Sequence, residues 1–250
     1  NNKASFQPTY SDQFKLLAFI ENIESENVLT ILDENHAKLD LKNRPAGDLL
    51  SLDFHPSEKK ILYSKIIKSS SKYILSDLYI YNIETDQSER LTTSLRARSA
   101  RYSDDGQSIV FMTTAGGQTH IKTMDLKTKQ ILSVLSSDYS SRYESPIFWS
   151  EKTLLASKVD TNGEHSLVRI NLNPLTEEVL PFHFSQIRFL QKVKEALYFV
   201  SSKNGVNNIY VSKDLKTAHP VSHVLSGVWS FDISQDQARS WASLLTSTGF

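Results

Sequence analysis

The chain has 250 residues, with 28 Lys plus Arg balanced by 28 Asp plus Glu, and it contains no cysteine. A net charge of zero provides no global field for nucleic acid or an anionic membrane, and the missing thiols remove disulfides and thiolate metal sites from consideration. No apolar run approaches the roughly 18–20 residues of a membrane span, whereas short runs rich in Ser, Thr, Tyr, Phe, Ile and Val favour strands. The start, NNKASFQ, has neither an initiator Met nor the apolar core of a signal peptide, so the chain is expected to be either processed or cut from a longer protein.

In chain order, a strand ending on an aromatic or aliphatic residue before a polar turn recurs at Tyr10, Phe54, Tyr102, Trp149, Leu190 and Ile233, in steps of 44, 48, 47, 41 and 43 residues. Each is followed by an apolar second strand, at 16–20, 61–64, 109–112, 154–157, 197–200 and 241–245. Alternating third strands are expected at 77–83, 120–126, 167–172 and 208–212, and short fourth strands at 89–92, 130–134, 178–180 and 218–221. The clearest copy spans 99–134. There Gly106 supplies the positive φ of a bulged turn, and Asp105 is placed to bond back to its own backbone. Residues 235–245 are the one stretch readable as an amphipathic helix, but their place in the repeat makes them strand. A four-stranded unit of about 40–45 residues is the pattern of a propeller blade, whereas a sandwich has no reason to repeat its turn chemistry at this period.

The expected fold is therefore an all-β propeller of four-stranded antiparallel blades. About six blades are begun, at 1–43, 44–94, 95–135, 136–181, 182–222 and 223–250, the last one partial, in a single domain over 1–250. YSDDGQSIVFM followed by IKTMDLKTKQ (102–112, 121–130) and DLYIYNIETDQSERLT (77–92) resemble the TolB-type propeller repeat. The third blade carries Asp104 in place of the family Pro, the second has HPSEKK without Gly, and blades four to six keep the hydrophobic frame alone. The resemblance implies a bacterial envelope or periplasmic setting, and it is specific for fold rather than function, because such propellers serve many systems.

No GxSxG elbow and no HExxH motif occur. The seven histidines are scattered, and Pro220 between His219 and His223 opposes a helical metal pair. Asp160–Glu164 has a calcium-loop flavour but lacks the later bidentate Glu, and Ser69 with Lys72 matches a Ser–Lys spacing inside a polar run. The sequence thus indicates no catalytic residues, no metal and no cofactor in this chain.

In a propeller, the loops from each fourth strand to the next first strand approach one mouth of the central channel and share a face with the second-to-third loops. These connectors, at 41–48, 93–100, 136–144, 181–186 and 222–227, carry Arg44, Arg96, Arg98, Arg142, His183 and His223, with Arg101 just beyond. Forked guanidinium donors gathered there would hold an anionic group. The longest insertion, 65–76, puts Ile66, Ile67, Tyr73 and Ile74 on the same face as a partner flap. The expected function is a non-catalytic scaffold that binds a protein or peptide partner at this mouth, with no nucleic acid and no membrane insertion. The alternative is an accessory or gating propeller of a hydrolase whose catalytic domain lies outside this chain.

Overall fold

The computed structural model describes residues 5–68 and 74–244. Six antiparallel sheets follow one another along the chain. Blade one holds β1 (Ser5–Ser11), β2 (Leu16–Ile23) and β3 (Glu26–Leu32), and blade two holds β4 (Leu49–Phe54), β5 (Lys60–Lys68), β6 (Ile74–Asn82) and β7 (Gln87–Arg90). Blade three holds β8 (Arg98–Tyr102), β9 (Ser108–Ala115), β10 (Gln118–Asp125) and β11 (Ile131–Ser136). Blade four holds β12 (Ser141–Ser150), β13 (Thr153–Asp160), β14 (His165–Leu172) and β15 (Leu175–Phe184). Blade five holds β16 (Arg188–Val193), β17 (Ala196–Ser201), β18 (Asn208–Ser212) and β19 (His219–Pro220). Blade six shows β20 (Val228–Ile233) and β21 (Ser240–Leu244) among the described residues. No described residue is helical, and 240–244 is strand as expected.

Two points differ from the sequence reading. Blade one has a third strand, β3, and its fourth position is taken by an irregular segment bridged at Leu32–Lys38 and Val28–Ala46. Blade six, read as lacking the turn signature, repeats it: Ser234 Oγ donates to Asp236 (2.5 Å) and Gln237 takes φ 63°, just as Ser103 Oγ donates to Asp105 (2.6 Å) and Gly106 takes φ 71°. The shared Ser-x-Asp spacing carries the turn, and the glycine eases it.

The core lies between blades. Along β9, Ile109 and Phe111 pack toward blade two while Val110 and Met112 pack toward blade four. Along β17, Leu197 and Phe199 face blade four while Tyr198 and Val200 face blade six. Alternate side chains leave opposite faces of a strand, so a strand covered on both faces must read as a continuous apolar run. This is why the second strands were the most legible part of the sequence.

Neighbouring blades are also joined by a series of hydrogen bonds that runs in one sense around the ring, with reverse contacts from Gln235 N to Asp12 (2.6 Å) and from Lys194 N to Gln235 (3.4 Å) at the turns. A side chain of each blade accepts a backbone N–H of the next: Thr9 from Phe54 (3.3 Å), Asp53 from Tyr102 (2.8 Å), Thr119 from Tyr143 (2.8 Å), Ser145 from Phe189 (3.2 Å) and Gln191 from Ile233 (3.1 Å). Asp232 closes the circle by accepting from Tyr10 (2.5 Å), beside the stacked rings of Tyr10 and Trp241, 4.0 Å apart.

Candidate functional site

Every inner strand shifts register against its neighbour near the connector end, for example between Arg98 and Arg101, between Glu144 and Ile147, and between Arg188 and Gln191. The extra residue re-aims the side chains. The two ends of the central channel therefore differ.

At the end near the first-to-second-strand turns, all six blades line a cavity of about 560 Å³. Arg101 reaches from blade three to Asp53 of blade two (2.8 Å), and its charge also acts on Asp232 of blade six. Burial is the main cause that raises the Asp53 carboxyl, with Arg101 opposing it. Asp232, 6% exposed, is pushed up to about 7, chiefly by burial, although Arg101 and the Tyr10 and Ile233 amides favour its charged form. Its two oxygens accept from Tyr10, from Ile233 and from the Gln191 amide. Lys192 of blade five crosses blade four over the Trp149 ring (5.9 Å) to Asp104 of blade three (2.7 Å). Beside this cavity, His55 is 7% exposed; its Nδ1 accepts from the amides of Ser57 (3.2 Å) and Glu58 (3.0 Å), which leaves Nε2 to donate to Gly106 O (3.2 Å). Burial holds its pKa below the usual imidazole value.

At the connector end, three successive inner strands begin with arginine: Arg98 opens β8, Arg142 lies second in β12 and Arg188 opens β16. Glu144 stands between two of them, 2.9 Å from Arg142 Nε and 3.9 Å from Arg188 Nε. Arg98 donates to Thr114 (2.9 Å). Beneath them lies His165, whose Nδ1 is 2.9 Å from Ser157 Oγ and whose pKa is lowered, mainly by burial. Ser157 is completely buried, so this Ser–His pair is sealed from any substrate.

The residues expected from the sequence are distributed as follows. Arg98 and Arg142 prove to be strand residues, because β8 and β12 extend further toward the connector face than their loops suggested. His183 is likewise in β15, which runs past 181 because the buried Phe182 and Phe184 continue its alternation. Arg44 is not at the mouth. It follows Lys42 and Asn43, whose amides bind Asp86, and lies close enough to Tyr81 to act on its hydroxyl. The reason is that the segment after β3 forms the outer edge of blade one rather than a short crossing. Arg96 is half-buried in the loop before β8, where it is engaged in a contact, and His223 is exposed in the loop before β20. Arg101 points into the opposite half of the channel, toward Asp53.

Ile66 and Ile67 are half-buried in β5, Ile74 is 71% exposed, and Tyr73 lies outside the described residues. The Asp160 loop is an ordinary turn in which Asp160 accepts from Asn162 and Glu164. Ser69 and Lys72 lie outside the described residues, and among the described residues no cluster of metal-ligating side chains occurs.

Arg188 was missed, although the steps from Arg98 to Arg142 and from Arg142 to Arg188, 44 and 46 residues, follow the blade period. The exposed apolar residues were also missed. Six of the nine large exposed apolar side chains among the described residues lie at the connector face: Ile74, Tyr139, Val221, Leu225, Trp229 and Leu244. Tyr139 reaches Gly117 at a second-to-third turn, and Leu225 is fully exposed.

No protein-family model matches the chain, and no curated protein matches it. Solved structures do match. TolB from Acinetobacter baumannii superposes with a TM-score of 0.66 at 14% identity, over 86% of this chain and 53% of that one. The β-propeller domain of the Trilobed protease from Pyrococcus furiosus, which has an open velcro topology, gives 0.64 at 15% identity, over 98% and 80%. The tricorn protease gives 0.65 at 11% identity, over 96% and 27%. The chain spans about half of the TolB chain and 42% of a similar prolyl endopeptidase. At these identities the likeness establishes the propeller fold. No helix among the described residues is long and apolar enough to cross a membrane.

Proposed function

We propose that this propeller is a non-catalytic platform that docks a protein partner on its connector face. The observation that carries the reading is the gathering of six of nine exposed large apolar side chains on that face. Scattered exposed apolar residues need no explanation, but concentration on one face around a polar mouth is what partner surfaces look like. The inter-blade core and the circle of side-chain links make the platform rigid, so docking costs little ordering of the scaffold. Likeness to TolB in fold, together with the repeat resemblance, supports a setting in a bacterial envelope.

The test is site-specific photocross-linking in cells that produce the protein natively. A cross-linker at Tyr139 or Leu225 should yield one adduct, identified by mass spectrometry, whereas Leu175 and Val179, on the outer strand of blade four, should yield none. Equal labelling from both sets, or none from either, would overturn the reading.

A second reading is supported by the peptidase propellers among the similar structures. In it, the channel gates a hydrolase domain encoded elsewhere in the same gene. A GxSxG domain in the full-length gene would favour it.

A further inference from the structure

We propose that Arg142 and Arg188, which stand on either side of a resident acid, Glu144, form a clamp for a carboxylate on an acidic segment of the docked partner, with Arg98 on the adjoining blade as its flank. The proposal rests on the docking reading above and names the chemistry that would fix the partner's register.

The geometry is that of a carboxylate site already holding a carboxylate of its own. Glu144, 23% exposed, lies between guanidiniums 51% and 42% exposed, contributed by β12 and β16. Both approach Glu144 through Nε, so the terminal amino groups of the two forks are not committed to it. Guanidinium is suited to this, because its planar fork offers several donors to a planar acid at once. The trio carries net charge +1, and Arg98, held by the neutral Thr114, makes it +2. His165 beneath adds no positive charge near neutrality, since its pKa is lowered.

The clamp is built on paired strands rather than on loops. Arg142 is opposite Val159, Glu144 is opposite Ser157 and Arg188 is opposite Val200. Ser145, next to Glu144, accepts the amide of Phe189, next to Arg188, at 3.2 Å. The two arginines are thus held in register across the blade junction without any ligand. Exposed Tyr139 lies just before Arg142 in the chain, so an acidic residue followed by an apolar one would find both its needs within a few residues.

The test is fluorescence anisotropy of a labelled acidic, Glu-rich heptapeptide and its Gln counterpart, at low and high salt. Wild type should bind the acidic peptide alone, more weakly as salt rises. Arg142→Ala/Arg188→Ala should weaken binding about tenfold or more. The control Lys213→Ala/Lys216→Ala, which loses the same charge from a turn of blade five, should bind as wild type does. Glu144→Gln, which removes the resident acid, should tighten binding several-fold.

The proposal fails if the arginine variant binds as well as wild type, if Glu144→Gln weakens binding, if the Gln peptide binds equally, or if inorganic phosphate competes as well as the peptide. Circular dichroism and thermal melting of each variant identify any that has simply unfolded, and Arg142→Lys/Arg188→Lys then serves in place of the alanine pair, with a smaller loss expected. Failure here with face-specific cross-linking intact would leave the docking platform standing and remove only its clamp.

Discussion

Gly106 stands so close to His55 that a β-carbon on it would lie 2.4 Å from both Cε1 and Nε2 of the imidazole. The glycine belongs to the turn of blade three and the histidine to that of blade two, so a single missing side chain lets two blades close on each other. The backbone at Gly106 is also left-handed, with φ 71°.

Gly106→Ala should therefore destabilise the fold by about 2–4 kcal/mol, through left-handed strain plus overpacking. Gly163→Ala has a similar φ of 81° but meets nothing within 4 Å. It should cost only about 1 kcal/mol of strain. Urea denaturation of both variants separates the two contributions, and equal losses would show that the His55 contact does not matter.

The buried histidines give stability an acid limit. The pKa values of His55 and His165 are lowered by burial, so the unfolded chain takes up a proton near 6.5 that the folded state resists. The contribution of these two groups is therefore fully present above about pH 6.5 and is lost as pH falls toward their folded values. For His55, protonation of Nδ1 would displace the Ser57 and Glu58 amides. Proton NMR should show both imidazoles titrating below a free histidine, and titration at or above the free value would contradict this.

Asp232 has the opposite effect over an overlapping range of pH. The folded carboxyl keeps its proton up to about 7, while the unfolded one releases it near 3.8. Folding therefore takes up a proton between those values, and stability falls as pH rises through that window, by on the order of a few kcal/mol in all. In Asp232→Asn this decline should flatten, measured as the slope of unfolding free energy against pH. An unchanged slope would assign the decline to other groups.

Arg101 faces two carboxylates. Arg101→Met should leave Asp53 with its Tyr102 amide alone and Asp232 without a nearby cation, at a cost of about 3 kcal/mol. Adding Asp53→Asn to Arg101→Met should recover part of that loss, because the uncompensated charge is removed. A double-mutant cycle measures the coupling, and simple additivity would mean that the pair is solvated in the channel.

What the sequence made legible follows from what each part of a blade must do. Second strands are buried on both faces, so Ile109–Met112 and Leu197–Val200 appear as runs that few other elements produce. Turns such as Ser103–Gly106 need particular backbone angles and local acceptors, which restrict the residues that fit. The mouth of the channel obeys neither constraint. Register shifts on the inner strands broke the alternation that would have aimed Arg98 and Arg101, and the pair ended at opposite ends of the channel. Arg44 was misplaced because the edge of blade one is an irregular run bridged at only two points, which has no hydrophobic pattern to read. Arg188 was visible only as a spacing.

The acceptors that link one blade to the next are Thr, Asp, Thr, Ser, Gln and Asp in turn. No single letter is required there, because the donor is always main chain and any oxygen of suitable reach can meet it. A blade can therefore lose its resemblance to its siblings without losing its grip on them. Internal copies within one chain can thus differ at the junctions, and a propeller can keep its ring after its repeat has faded from view.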